Sequence, residues 1–145
     1  MRQKMFLNLA MLSGVALMAL APAFAQDREM VDAKIPFAFN VGSKMLPAGN
    51  YEVSNTFTNT LVIRNTATHQ AVMAITNADS PKQIEGDGAV IFRSYGDTYF
   101  LSAVQAGENR KALGVSKTER EAAAKAAETA NNTPSREVYV AAFTH

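Results

Sequence analysis

Val31-Asp32-Ala33-Lys34-Ile35-Pro36-Phe37-Ala38-Phe39-Asn40-Val41-Gly42-Ser43-Lys44-Met45-Leu46-Pro47-Ala48-Gly49-Asn50-Tyr51-Glu52-Val53 reads as the opening of a small antiparallel β domain. Ile35, Phe37, Phe39 and Val41 fall on alternate positions, so an extended chain puts them on one face. Pro36 cannot donate to a ladder, which predicts an edge or a bulge there. Gly42-Ser43-Lys44 breaks the run. Leu46-Pro47-Ala48-Gly49 reads as a tight turn in which Pro47 presets φ and Gly49 is free to take a positive one. Tyr51 and Val53 resume the alternation.

Upstream lies a segment that does not belong to the domain. Arg2 and Lys4 make a positive start, Met5 to Leu20 is uncharged and mostly apolar, and Ala23-Phe24-Ala25 is a small-x-small site before Gln26. This is the pattern of a secretory signal peptide. Residues 1–25 are therefore expected to be cleaved between Ala25 and Gln26, leaving 26–145 as one domain in the periplasm or outside the cell. The apolar run is shorter than the roughly 20 residues of a spanning helix, so no transmembrane anchor is expected after cleavage.

The 145-residue chain has no cysteine, and its 14 Lys and Arg against 13 Asp and Glu give a net charge of +1. Arg2 and Lys4 lie in the leader, so the mature domain is acidic by a single charge. A near-neutral domain without a basic cluster has no footprint for nucleic acid. Export without cysteine leaves the apolar core to hold the fold unaided.

Downstream, Tyr51 to Ser54, Leu61 to Arg64 and Ala71 to Thr76 read as strands separated by Asn- and Thr-rich turns. Asn77 to Gly88 reads as a loop that Ile84 could pin to the body. Ala89 to Val104 is the best-defined hairpin. Gly96-Asp97 suits a two-residue turn, and that register faces Phe92 with Leu101, Val90 with Ala103, Arg93 with Phe100 and Ser94 with Tyr99. The first two pairs are expected on the core face.

Gly107 to Gly114 reads as a polar loop, after which the period changes. Ser116-Lys117-Thr118-Glu119 is a capping box, and the alanine-rich run to Ala130 predicts a helix over about 116–130, with Glu121 and Lys125 as an i,i+4 pair. Its only apolar stripe is alanine, so it should lie lightly on the sheet or project. Asn131 to Pro134 ends it, and residues 136–143 read as a last strand able to close against the first. The fold expected is mainly β: a single antiparallel barrel or sandwich of about seven strands, with one late Ala-rich helix before the last strand.

Two stretches together resemble a known group. Phe39-x-Val41-Gly42-x-x-x-Leu46-Pro47-Ala48-Gly49-x-Tyr51-x-Val53 is one. Phe92-x-x-Tyr95-Gly96-Asp97-x-Tyr99-Phe100-Leu101 followed by Ser116-Lys117-x-Glu119-Arg120-Glu121-Ala122-Ala123 is the other. They are similar to a functionally uncharacterised group of small exported β-rich proteins that occurs in many copies in acidobacterial-type soil bacteria. The resemblance spans nearly the whole mature chain. It implies a bacterial exported β domain and supplies no activity, ligand or catalytic residue.

The chain carries few residue patterns that point to chemistry. The two histidines, His69 and His145, form no H-x-x-x-H or H-x-E pattern, so a usual zinc site is not expected. Asp79, Glu85 and Asp87 lack the spacing of a calcium loop. There is no G-x-S-x-G and no phosphate-cradling glycine loop. No catalytic residue, metal site or cofactor is expected. The sharper candidate is the aromatic set at one hairpin tip, Arg93, Tyr95, Tyr99 and Phe100, which could stack on a glycan or anchor an envelope protein if exposed. The competing expectation is that Phe100 and Ile91 pack under the helix while Tyr95 and Tyr99 cover the end of the core. The function expected is a non-enzymatic binding or structural role. The alternatives are a small barrel around an apolar ligand, against which tight filling by Phe37, Phe39, Met73, Phe92 and Leu101 would count, then a hydrolase or an outer-membrane barrel.

Overall fold

A computed structural model describes residues 30–129 and 135–145. The leader, the cleavage site Ala25–Gln26 and the helix stop at Asn131–Pro134 lie outside the described residues. Within them the elements are β1 Met30–Ile35, β2 Phe39–Val41, β3 Lys44–Leu46, β4 Gly49–Phe57, β5 Thr60–Asn65, β6 Ala71–Ile75, β7 Asn77–Asp79, β8 Gly88–Tyr95, β9 Thr98–Ala106, β10 Asn109–Ala112, helix α1 Lys117–Thr129 and β11 Arg136–Thr144.

All the described strands belong to one sheet, which curls into an open half-barrel. Its main path runs β3-β2-β9-β8-β11-β1-β4-β5-β6, with β10 on β9 and β7 on β10 as a branch. The expected seven strands become eleven for identifiable reasons. Pro36 ends β1 and lets the chain cross over. β1 pairs with β4 and β11, whereas β2 pairs with β3 and, in parallel, with β9. That parallel contact makes the sheet mixed. The stretches 77–79 and 109–112, expected to be loop, pair with each other, and 109–112 also pairs with β9. Their strand character comes from a ready-made edge, which composition does not reveal. The last strand does lie on the first, with Val31 opposite Thr144 and Ala33 opposite Ala142.

The concave face carries the core. Val31, Ala33, Ile35, Phe39, Val41, Tyr51, Val53, Leu61, Ile63, Val90, Phe92 and Leu101 are buried there. Phe39 meets Tyr51 and Phe92 edge to face at 5.1 and 5.3 Å, and Phe37 meets Phe92 the same way at 5.0 Å. Tyr51 donates its hydroxyl to the Pro47 carbonyl at 2.6 Å, locking the β3–β4 connection. Met73 is not among the fillers: it points outward and is 62% exposed. Its β6 neighbours Val72 and Ala74 take the inward positions.

Of the two glycines that flank β3, Gly42 is the turn residue expected and Gly49 is not. Gly42, with φ 61°, carries the two-residue β2–β3 turn. Gly49 has no positive φ. A Cβ there would sit 3.2 Å from Asn65 Nδ2, so any larger residue crowds that side chain. Asn65 is itself buried, and its Oδ1 accepts from the amides of Ala67 and Thr68 at 2.9 and 3.0 Å, shaping the β5–β6 turn.

The 89–104 hairpin has the expected turn, with Gly96 at φ 62° and Tyr95 opposite Thr98. Its outer half is in the expected register. Beyond Phe92–Leu101 the ladder slips: Ile91 faces Ala103 and Val90 faces Val104. Ser102 is the extra residue of a β-bulge. The slip reverses the side-chain parity of β9, so Ala103, expected in the core, packs outside with Ala89 and Ile91, and Val104 takes the inner place.

Candidate functional site

The convex face of β8–β9 would carry function if it were free. It is covered in two parts. Ile84 and Ala112 pack on Ala89, Ile91 and Ala103, so Ile91 lies beneath the 80s loop and not beneath the helix. The other part belongs to α1, which docks through a charge.

Ser116 caps the helix, its Oγ accepting the Glu119 amide at 3.1 Å. The Glu119 side chain, 2% exposed, turns onto the sheet. Arg93 Nε donates to its Oε1 at 2.5 Å and Nη2 to its Oε2 at 3.1 Å, a bidentate pair. Arg93 Nη1 donates to the bulge hydroxyl of Ser102 at 2.9 Å. Tyr95 donates its hydroxyl to Glu119 Oε1 at 3.0 Å and meets Phe100 edge to face at 6.0 Å. The hydrogen bonds it donates to Glu119 hold the Arg93 guanidinium above its ordinary pKa. Burial, then the Glu119 charge, pushes the Tyr95 phenol up.

Of the four residues singled out from the sequence, the fold brings Arg93, Tyr95 and Phe100 together on the convex face and spends their polar groups on the helix. Tyr99 points the other way. It stacks on Phe37 at 3.9 Å, on the concave side. The residues that complete the cluster, Glu119 and Ser102, carry weaker signals. Glu119 looks like a capping-box member, and Ser102 looks like one more strand residue.

A second polar network holds the 80s loop. Gln105 is 2% exposed. Its Oε1 accepts the Lys82 amide at 3.0 Å, and its Nε2 donates to the carbonyls of Lys82 and Gly107 at 2.8 and 3.0 Å. Arg110 Nε donates to Asp79 Oδ2 at 2.9 Å, and that bond holds the Asp79 carboxyl below its ordinary range. Asp79, one of the three loop acids, is thus engaged by a guanidinium. Lys82 Nζ reaches both oxygens of Glu137, and Tyr139 donates to Glu137 Oε2 at 2.7 Å. His69 is exposed in the β5–β6 turn, and His145 contacts Asp32 at the far end of the sheet. Among the described residues, no three His, Asp or Glu side chains converge as a metal-binding set.

Comparison with protein-family models, curated proteins and solved structures returns no match for this chain. Among the described residues no helix is long and apolar enough to cross a membrane.

The outer face of β4–β6, by contrast, is open, as are the single exposed side chains Met45 on β3 and Phe143 on β11. Phe57 faces Thr60 and Thr60 faces Ile75 in one cross-strand row, and Val62 faces Met73 in the next. Phe57, Met73 and Ile75 are 66%, 62% and 81% exposed. Beside β6 lies a groove of about 400 Å³ whose other wall is the Gly42–Lys44 turn.

Proposed function

We propose that this protein is an exported, non-enzymatic β domain of the bacterial envelope or exterior that works by binding, its partner a protein. One observation carries the reading: three large apolar side chains, Phe57, Met73 and Ile75, stand exposed together on a stiff sheet face. A soluble domain leaves such a row uncovered where something else covers it. Two of the three are aliphatic or thioether groups, and the Phe57 ring stands beside them rather than among hydrogen-bonding groups, which suits a protein surface better than a sugar. The aromatic filling of the concave face supports a surface-binding role over a barrel that carries an apolar ligand. The engagement of Arg93 and Tyr95 by Glu119 directs attention away from the hairpin tip.

The test is a binding screen of the purified mature domain against glycans and fractionated envelope proteins, alongside a panel of hydrolase substrates. Retention of an envelope protein by the native domain and its loss in Phe57→Lys is the result expected. Failure to bind any fraction, together with measurable hydrolase turnover, overturns the proposal.

A further inference from the structure

Among the described residues the β6 strand is a sheet edge, with Gly42–Lys44 and Leu113–Gly114 across a groove from it. Among the described residues its ladder partner is β5 alone, and its far side opens on the groove toward Gly42–Lys44. One row of its backbone N–H and C=O groups therefore lacks a strand. Edges in soluble proteins are usually blunted by charge, proline or brevity. The opposite edge of this sheet, β3, follows that rule: it has three residues, begins with Lys44 and is followed by Pro47. β6 does not. Ala71-Val72-Met73-Ala74-Ile75 is wholly apolar, and no Lys, Arg, Asp or Glu occurs from Asn65 to Ala78.

An unfilled ladder specifies its occupant: an extended strand. The side chains specify which one. Consider β6 paired antiparallel with β6 of a second copy, centred on Met73. Ala71 then faces Ile75 of the other strand and Val72 faces Ala74, so a larger residue meets a smaller one in each of these pairs, and Met73 meets its own copy on the axis. Faces are also preserved. Ala71, Met73 and Ile75 are the outward, exposed residues, and Val72 and Ala74 are the inward ones packed on the core. The two half-barrels would continue as one sheet, and the Met73–Ile75 rows would merge across the two-fold axis. The lack of charge over 65–78 matters here, since an isologous contact sets each residue against its own kind and any charge would be repeated.

We infer that this protein self-associates as a two-fold dimer through antiparallel pairing of its β6 edges. The inference rests on reading the Phe57–Met73–Ile75 row as a protein-binding surface, and it assigns the β6 part of that row to a second copy. A five-residue ladder is a small interface, so dissociation in the micromolar range is expected.

Two experiments on the purified mature chain test it. Sedimentation equilibrium up to about 200 μM should reveal a monomer–dimer equilibrium, the range set by the affinity scale of so small a contact. Met73→Lys and Ile75→Lys should each weaken it at least about tenfold, because like charges then face each other or meet apolar neighbours. Met45→Lys on the β3 edge should leave it unchanged. The chain has no cysteine, so oxidation of Met73→Cys with a copper–phenanthroline catalyst can cross-link only one pair of positions; a disulfide dimer is expected there and none from Met45→Cys. A native protein that stays monomeric throughout, or a dimer indifferent to both lysine variants, overturns the inference. If the protein is monomeric yet still holds an envelope protein through Phe57, only the identity of the partner falls. If it neither dimerises nor binds, both readings fall.

Discussion

Glu119 and Arg93, 26 residues apart in sequence, meet through two parallel hydrogen bonds at 2.5 and 3.1 Å, and this contact docks the only helix among the described residues onto the sheet. The helix is mostly alanine on its sheet-facing side, and Glu119 is its one buried residue. A helix with so little apolar area needs another anchor, and a desolvated carboxylate supplies one if fully satisfied. Two bonds from Arg93 and one from Tyr95 satisfy it.

Removing one partner of that pair should therefore be costly. Glu119→Ala is expected to destabilise the domain by about 2–4 kcal/mol, the low side of what stripping a buried charge entails, because the Arg93 side chain keeps 21% exposure and some water. Urea unfolding measures the loss, and hydrogen exchange should show α1 amides losing protection before the sheet does. Uniform loss across the sheet, with α1 unchanged, would refute helix docking as the role of Glu119.

Gln105 makes three hydrogen bonds to the Lys82 and Gly107 backbone from a buried position. Gln105→Ala should cost about 2–3 kcal/mol by leaving those groups unpaired and should free the 80s loop. Limited trypsinolysis after Lys82 is the direct readout. A cleavage rate equal to that of the native protein would show that the loop is held by something else.

The two constrained glycines should respond differently to the same substitution. Gly42→Ala has open space around its Cβ but forces alanine to φ 61°, which costs about 1 kcal/mol. Gly49→Ala crowds Asn65 instead. In an Asn65→Ala background the second penalty should shrink while the first stays, as thermal melts of Asn65→Ala, the two glycine variants and the two double variants would register. Equal behaviour of both glycines in that background would count against the crowding argument.

The carboxyls of Asp79 and Glu137 are held low, by hydrogen bonds from Arg110 and Tyr139 respectively. A folded pKa below the unfolded one means stability that is present above the ordinary values of 3.8 and 4.5 and is lost as pH falls through the depressed folded values. Urea midpoints should hold steady down to about pH 5 and then decline with acid. Asp79→Asn should flatten part of that decline, and an acid profile identical to that of the native chain would argue against the Arg110 contact as its source.

Much of the sheet is legible in local sequence because strand and turn signals are local. Alternation at Tyr51 and Val53, the β-branched run at Leu61–Ile63 and Gly96-Asp97 all act over a few residues, and the structure places them as read. The Ser116 cap is equally local. Met73 shows the limit. In an apolar run such as Ala71–Ile75, either parity could face inward, and only the register against β5 turns Val72 and Ala74 to the core.

By itself, then, the sequence determined a mainly β domain with a late helix, its principal turns and most of its core, since these depend on interactions spanning fewer than ten residues. The tertiary structure alone decided the rest. It placed the bulge at Ser102, which sets the parity of β9 and offers a hydroxyl to Arg93. It joined Glu119 to Arg93, sent Tyr99 to the opposite face from Tyr95, and paired 77–79 with 109–112. Among the described residues it also left β6 paired on one side only. The physical reason is the same in each case: strand register, desolvation and edge exposure are set by partners distant along the chain, and a residue's own neighbours carry no record of them.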